Sequence, residues 1–418
     1  MVGNKNPLPA PYLKVQRTRY VKEKLMILKN IQLTNFRCFK QISVDLHPRL
    51  NVFVGENGQG KTAILDGIAV GLGAVLSHLP DVKGINFRST DRWQELPTLS
   101  GGSLLNPTQP VKQAPYVRVR LESTDGITWD RTEKRDSSKQ TQQQIPSDKK
   151  LRELHDFMEH IINDIQAGLP TNMPVMVYYG TDRAGRSSLS MTQSNYLKKT
   201  FNRFKALEDA MKPNSRVDFM VEGFAFQEDI ERREKENRGD LEYRQPLLES
   251  IRQAIYQIIP RCTDIRTTIS PLRLRVTVEP IDSQPNQLFL DQLSDGYRAI
   301  LALVTDLAFR MAHANPHLDN PLQAEAIVLI DEVDLHLHPQ WQQTVLPKLT
   351  QLFENTQFLV TTHSPQVLTT VEEPECIHGL VWEKGIAHLK QPNSCYGAES
   401  SRLLQDILGV EPRLPTIY

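Results

Sequence analysis

The sequence predicts an α/β fold: a mixed sheet flanked by helices, with a mainly helical domain inserted into it. Three observations carry this. A short apolar strand from Leu50 to Val54 runs straight into glycines and then into a stretch of helical periodicity, AILDGIAVGLGAVLSHL, that ends at Pro80. Strand, loop and helix in immediate succession is the repeating unit of α/β architecture. Beyond Ile265 strand and helix signals alternate to the end of the chain, which indicates a sheet covered by helices. Between these parts, residues 151–264 read as a mainly helical insertion, helical and highly charged from Leu197 to Ile259 and most of all in EDIERREKENRGD from Glu228 to Asp240, which reads as a solvated arm.

The elements follow in order. Residues 1–26 form a basic, proline-bearing arm without the apolar stretch of a signal peptide. From Met26 to Leu46 apolar and polar residues alternate as in two strands meeting near Asn35 and Arg37. Asp81 to Pro115 is rich in turn residues, Tyr116 to Arg131 alternates like an antiparallel pair, and Thr132 to Lys150 is polar and reads as a loop. Helices resume near Leu151, and Pro174 to Tyr179 reads as a buried strand leading into Gly180-Thr181-Asp182-Arg183. The last part carries a helix from Asp295 to Ala314, a strand from Ala326 to Ile330, a helix from Pro339 and a strand from Gln357 to Thr361. Four regions result: the arm 1–26, an N-lobe 27–150, the helical insertion 151–264 and a C-lobe 265–418.

Composition narrows the function classes. The 418 residues suffice for two or three domains and a core that needs no disulfide. Lys+Arg and Asp+Glu are equal at 49 each, so the surface as a whole attracts neither nucleic acid nor an anionic membrane. Cys38, Cys262, Cys376 and Cys395 stand far apart, which excludes a Cys-x-x-Cys site and fits a reducing cytoplasm. No apolar run approaches the roughly 20 residues that span a bilayer.

Four short segments carry chemistry. Gly55-Glu56-Asn57-Gly58-Gln59-Gly60-Lys61-Thr62, followed by Ala63, fits G-x-x-x-x-G-K-[ST] between a strand and a helix. Glycines there let backbone N–H groups turn toward phosphate oxygens, Lys61 reaches the β- and γ-phosphates, and Thr62 offers a hydroxyl to Mg²⁺. The strand Ile327 to Ile330 ends in Asp331-Glu332: one carboxylate suits the metal, the other can take a proton from an attacking water. Alone, such a pair is an ordinary solvated strand end, and its weight comes from the phosphate loop before it. Ser294-Asp295-Gly296 opens the helix after Leu293 and reads equally as an anion site or a plain N-cap. His363, in Thr361-Thr362-His363-Ser364, reads as a γ-phosphate sensor or a strand-end imidazole. His336 and His338 are spaced as a metal pair but lack a third ligand in sequence, which favours a structural role.

In this order the four segments resemble the ABC-type P-loop ATPases, in the soluble branch that includes SMC, RecF and the overcoming-lysogenization-defect ATPases. The resemblance covers about Ile27 to Thr90 and Pro271 to Gly397. It implies ATP and Mg²⁺ as ligands, with Thr62 and Asp331 on the metal, Glu332 and His363 catalytic, and a homodimer. Leu293 to Tyr297 matches the family's LSGGQ signature, departing at Asp295 and Tyr297, so Ser294, Asp295 and Gly296 would face the nucleotide of the other subunit. Asp334 falls on the D-loop at the dimer interface, Arg37 and Phe39 fall where relatives contact nucleotide, and Gln94 is the candidate for the Q-loop.

NFRCF, YYGTDR, LSDGYRA and DEVDLHLHPQWQQ resemble more closely PtuA, the ATPase of Septu-type anti-phage defence systems, and the ATPases of some retrons. The resemblance implies a partner HNH nuclease of the PtuB kind or, in a retron, a reverse transcriptase with its RNA–DNA product. Only 55 residues follow His363, too few for the Toprim nuclease domain of the overcoming-lysogenization-defect proteins, so no intrinsic nuclease is expected. Two other readings stand beside this one: a RecF-like repair ATPase touching DNA through basic stretches near Arg17 to Lys24 and Lys198 to Lys205, and an ATP-bound regulatory scaffold with little hydrolysis.

Overall fold

The computed structural model describes residues 26–95, 112–147, 151–184, 202–213, 217–279, 286–383, 385–392 and 394–407. The expected arm therefore lies outside the described residues except for Met26, which is buried in the core.

Two sheets sandwich one helix. The first is antiparallel, β2-β1-β6-β7, built from β1 (Leu28–Phe36), β2 (Phe39–Asp45), β6 (Tyr116–Ser123) and β7 (Thr128–Lys134). Its strands alternate buried and exposed residues, as a sheet with one wet face requires. β1 turns into β2 through Asn35 and Arg37, both with positive φ (53° and 48°). The small strands β4 (Gln94–Glu95) and β5 (Lys112–Gln113) pair beside it.

The second sheet has six strands in the order β15-β14-β3-β13-β12-β8. They are β3 (Leu50–Val54), β8 (Val175–Tyr179), β12 (Ala326–Ile330), β13 (Thr356–Thr361), β14 (Ile377–Glu383) and β15 (Ile386–Lys390). Five run parallel, and β15 returns antiparallel to β14, so the sheet is mixed. β8, β12 and β13 are buried at every position, which explains their continuous apolar runs. The helix Lys61–Leu76 lies between the sheets with every residue but Thr62 buried. Trp129 Nε1 and Arg131 Nη1 of β7 donate to its Gly71 and Val70 carbonyls at 3.0 and 2.8 Å.

A third, antiparallel sheet of β9 (Cys262–Ile269), β10 (Leu272–Val278) and β11 (Asn286–Phe289) lies beside the helices Val217–Arg238 and Pro246–Ile258, which in turn pack on Asp295–Ala314. Three sequence expectations change here. The 151–264 stretch is not only a helical insertion, because its β8 pairs parallel with β12 in the ATPase-type sheet. The charged run Glu228–Asp240 is not all solvated: Glu231 is buried and accepts from Arg252 Nη1 at 2.9 Å, and Glu228 accepts from the Thr267 N–H at 2.9 Å. The polar stretch after Thr132 holds a short helix, Lys139–Gln144, whose first turn is capped by the Ser138 hydroxyl.

Candidate functional site

β3 delivers the phosphate loop. Gly55, Gly58 and Gly60 take φ of 147°, 80° and 105°, so the backbone from Gly55 through Glu56, Asn57 and Gln59 curls back over the start of the helix Lys61–Leu76. A Cβ on Gly60 would stand 2.5 Å from Phe39 Cζ and 2.7 Å from Cys38 Sγ, which leaves glycine alone there. The helix start has no side-chain cap and no acidic residue in its first turn, so its N–H groups and positive end remain for an anion. Lys61, 6% exposed, donates to the Gly55 and Glu56 carbonyls at 2.9 and 2.8 Å. Burial pushes its ammonium below the ordinary lysine range, against the pull of Asp331, Glu332 and Asp334. Ala63 is buried in the first turn.

β12 delivers the acidic pair to the same edge. Thr62 Oγ1 donates to Asp331 Oδ2 at 3.0 Å and lies 3.2 Å from Oδ1. Thr361 Oγ1, at the end of β13, donates to Asp331 Oδ1 at 2.6 Å and accepts the Glu332 N–H at 2.7 Å. Glu332 holds a left-handed φ of 49°, a conformation that costs a non-glycine residue about 1–3 kcal/mol. Arg183, 1% exposed and just past β8, grips this turn: Nη1 donates to the Asp331 carbonyl and Nη2 to the Glu332 carbonyl, each at 2.6 Å. Burial lowers its guanidinium to about 10, although Asp334, Asp331 and Glu332 all favour the charge.

The next turn joins the remaining predicted residues. Thr362 Oγ1 donates to Asp334 Oδ1, and the Ser364 N–H returns to Thr362 Oγ1 at 3.0 Å. His363 stands half-buried between them; burial first, then the Lys61 charge, lowers its pKa, so near neutral pH the ring is uncharged.

Among the described residues, Ser294, Asp295 and Gly296 make no hydrogen bond or ion pair with Lys61, Thr62, Asp331, Glu332 or His363. Ser294 occupies the N-cap of Asp295–Ala314 but makes no side-chain cap bond, and it is exposed. Asp295 pairs with Arg298 at 2.5 Å. Gly296 sits so close to the His336 carbonyl that a Cβ would stand 2.5 Å from it. His336 thus seats the signature turn, His338 caps the helix Pro339–Gln342, and neither belongs to a metal-ligand cluster among the described residues. Arg37 is held by Asp66 at 2.5 Å and Asp91 at 2.8 Å, tying the β1–β2 turn to the phosphate-loop helix. Gln94 is exposed in β4 opposite Gln113. Of the basic stretches, residues 17–24 and 198–201 lie outside the described residues, and Arg203 is spent internally on the Ala314 and Thr171 carbonyls.

A family model described as an AAA domain matches residues 30–263, more than half of the chain. The chain belongs to this AAA-domain family. A second family model, described as an AAA domain, putative AbiEii toxin of a type IV TA system, matches residues 276–369, which hold Asp331, Glu332 and the Ser294–Gly296 turn of this AAA-domain protein. The retron Vc95 probable ATPase of Vibrio cholerae is 24% identical over 85% of this chain and 73% of its own. The retron Ec83 probable ATPase of Escherichia coli is 40% identical over 40% of this chain and 29% of its own length. The Septu protein PtuA of Bacillus mycoides is 40% identical over 24% of this chain and 14% of its own. The chain thus spans less than a third of the Ec83 protein and of the Bacillus mycoides PtuA. The resemblance to retron and Septu ATPases read from NFRCF, YYGTDR, LSDGYRA and DEVDLHLHPQWQQ is borne out by these relatives. No helix among the described residues is long and apolar enough to cross a membrane.

Sequence reasoning missed two residues of the cluster. Arg183 appeared only inside the YYGTDR phrase, and Thr361 only as a neighbour of His363; the pairing of β8, β12 and β13 is what brings them to Asp331.

Proposed function

We propose that the chain binds ATP with Mg²⁺ and hydrolyses it as the ATPase of an anti-phage defence system, pairing two copies to complete each nucleotide site and controlling a partner nuclease of the HNH type. One observation carries the reading: the Thr62 hydroxyl and the Asp331 carboxylate meet at 3.0 Å, with Lys61 on one side and Glu332 on the other.

The donor set is a hydroxyl and a carboxylate, hard oxygen ligands suited to Mg²⁺. Thr62 and Asp331 would hold that ion, which neutralises developing charge on the β- and γ-phosphates. Thr361 orients Asp331, Lys61 and the loop N–H groups hold the phosphates, and the Glu332 carboxylate accepts a proton from water attacking the γ-phosphate. The uncharged His363 can donate to a γ-phosphate oxygen without adding a cation beside Lys61. The exposed, uncapped Ser294 supports the composite site, because its hydroxyl is open to a second copy.

The kinship with retron ATPases favours a retron setting, with a reverse transcriptase and its RNA–DNA product in the assembly. The deciding experiment co-expresses the chain with its genomic neighbours, purifies it with and without ATP, and assays what comes through for nuclease activity. A stoichiometric HNH partner whose cutting depends on nucleotide supports the reading; a lone dimer whose hydrolysis rises with DNA replaces it with a repair ATPase. In parallel, Glu332→Gln keeps ATP affinity, slows hydrolysis about 10²-fold or more and accumulates dimer, whereas Lys61→Ala loses affinity. Normal turnover in Glu332→Gln removes that residue from its role.

A further inference from the structure

We infer that Trp382 is the platform on which the base of the bound nucleotide stacks. β14 pairs parallel with β3 at Ile377–Val52, His378–Phe53 and Gly379–Val54 and then runs on past the end of β3, alongside the phosphate loop. Trp382 lies on this continuation. Its indole Nε1 donates to the Gln59 carbonyl at 3.1 Å, inside the loop and between Gly58 and Gly60. The ring is nearly parallel to Phe39, at 9° and 6.2 Å between centroids, and Phe39 is fully buried against Gly60. The indole plane is therefore set by a hydrogen bond at its polar tip and by a rigid ring beside it.

The side chain is also exposed. Trp382 is 37% exposed, one of few large apolar side chains so open among the described residues, and its cross-strand neighbour on β15 is the small Ala387. An exposed aromatic ring with a fixed plane, attached to a loop shaped for phosphates, suits a flat heteroaromatic ring tethered to a triphosphate. Such stacking tolerates any base, because every base has a π-face, so Trp382 strengthens binding of nucleoside triphosphates over inorganic triphosphate without choosing among bases.

The inference rests on the phosphate loop being the nucleotide site, and the test separates the two. ATP and inorganic triphosphate are titrated into the full chain, its Trp382→Ala and Trp382→Phe variants, and Lys61→Ala. Expected are an ATP affinity about tenfold weaker in Trp382→Ala, near-complete recovery in Trp382→Phe, and equal triphosphate affinity in all three. ATP also quenches indole fluorescence in the parent chain and not in Trp382→Phe, where Trp93, Trp129 and Trp341 remain; this readout needs only the conservative variant. Unchanged ATP affinity in Trp382→Ala, or quenching that persists in Trp382→Phe, overturns the inference and leaves the loop reading intact. Equal losses of ATP and triphosphate in Trp382→Ala overturn it too, since Trp382 then acts by shaping the loop through Gln59. Unchanged ATP affinity in Lys61→Ala removes the nucleotide site itself, and the base platform with it.

Discussion

Replacing Arg183 with Met keeps the length and apolar body of the side chain and removes its fork. Three hydrogen bonds from a charged donor, to the Asp331, Glu332 and Gly180 carbonyls, are lost, at about 1.5–3 kcal/mol each, so roughly 4.5–9 kcal/mol in all. Against this, a buried guanidinium held at about 10 instead of 12.5 carries a cost of roughly 3 kcal/mol that Met does not incur. The difference, about 1.5–6 kcal/mol, is at most comparable with the stability of an ordinary domain, about 5–15 kcal/mol, and urea unfolding shows whether the variant stays folded. Activity should suffer as well. Glu332 keeps its left-handed backbone only while the turn is held, and relaxation moves the carboxylate away from the water it is proposed to activate. General-base catalysis is worth about 10²–10⁴-fold, so kcat should fall about 10²-fold while the ATP dissociation constant changes less than about threefold. Arg183→Lys, whose ammonium can reach only one of the two carbonyls at a time, should fall in between. Phosphate release at saturating ATP, ATP titration and urea unfolding measure the three quantities. A kcat within about threefold of the parent, in a variant that folds, would refute the claim that Arg183 sets the geometry of Glu332.

Two further outcomes follow from the packing. Gly60→Ala combines a positive φ with a Cβ pressed on Phe39 and Cys38; strain and overpacking together cost roughly 2–5 kcal/mol, visible as a lowered melting temperature and lost ATP binding, and a variant as stable as the parent would mean the loop can re-route. His313 and His378 are both held near 4 by burial, below their ordinary 6.5. The unfolded chain therefore binds more protons between pH 6.5 and 4, and stability falls as pH falls through that window, by about 2 kcal/mol per histidine at pH 5. Urea midpoints at pH 7.5 and 5 should show this drop, and His378→Gln, which can keep the donor to Asn51, should lose about half of it; an undiminished drop would clear His378 of the effect.

What could be read from sequence and what could not divide along a physical line. The phosphate loop declares itself within eight consecutive residues, because its function lies in local backbone conformation and glycine spacing report. β12 is apolar throughout, and β3 and β13 carry apolar cores in Val52–Val54 and Phe358–Val360, because these positions are buried; that pattern is local as well. Arg183 has no such signature. Its partners are two carbonyls, which any residues supply, and it meets them only because Tyr179 of β8 stands opposite Ile330 of β12. Thr361 is in the same position: its bonds to Asp331 and Glu332 follow from Ile330 standing opposite Val360. The buried Glu231 hid for the opposite reason, since a charged run looks solvated until the Arg252 that neutralises it is found on another helix. The helix Lys139–Gln144 was missed because six polar residues carry no apolar period.

The place of β3 has a consequence for how the chain is made. Leu50 pairs with Phe358 of β13 and Val52 with Ile377 of β14, so the strand that leads into the phosphate loop leaves the ribosome long before either of its neighbours. Until the chain has been extended past Thr361, the strand has neither of its partner strands. Such long-range pairing is slow and leaves strand edges open to aggregation. Once it closes, any ligand that binds only the closed form adds RT ln(1 + [L]/Kd) to its stability. For a chain built this way, the nucleotide present during synthesis is also a folding ligand, and the yield of intact protein should depend on it.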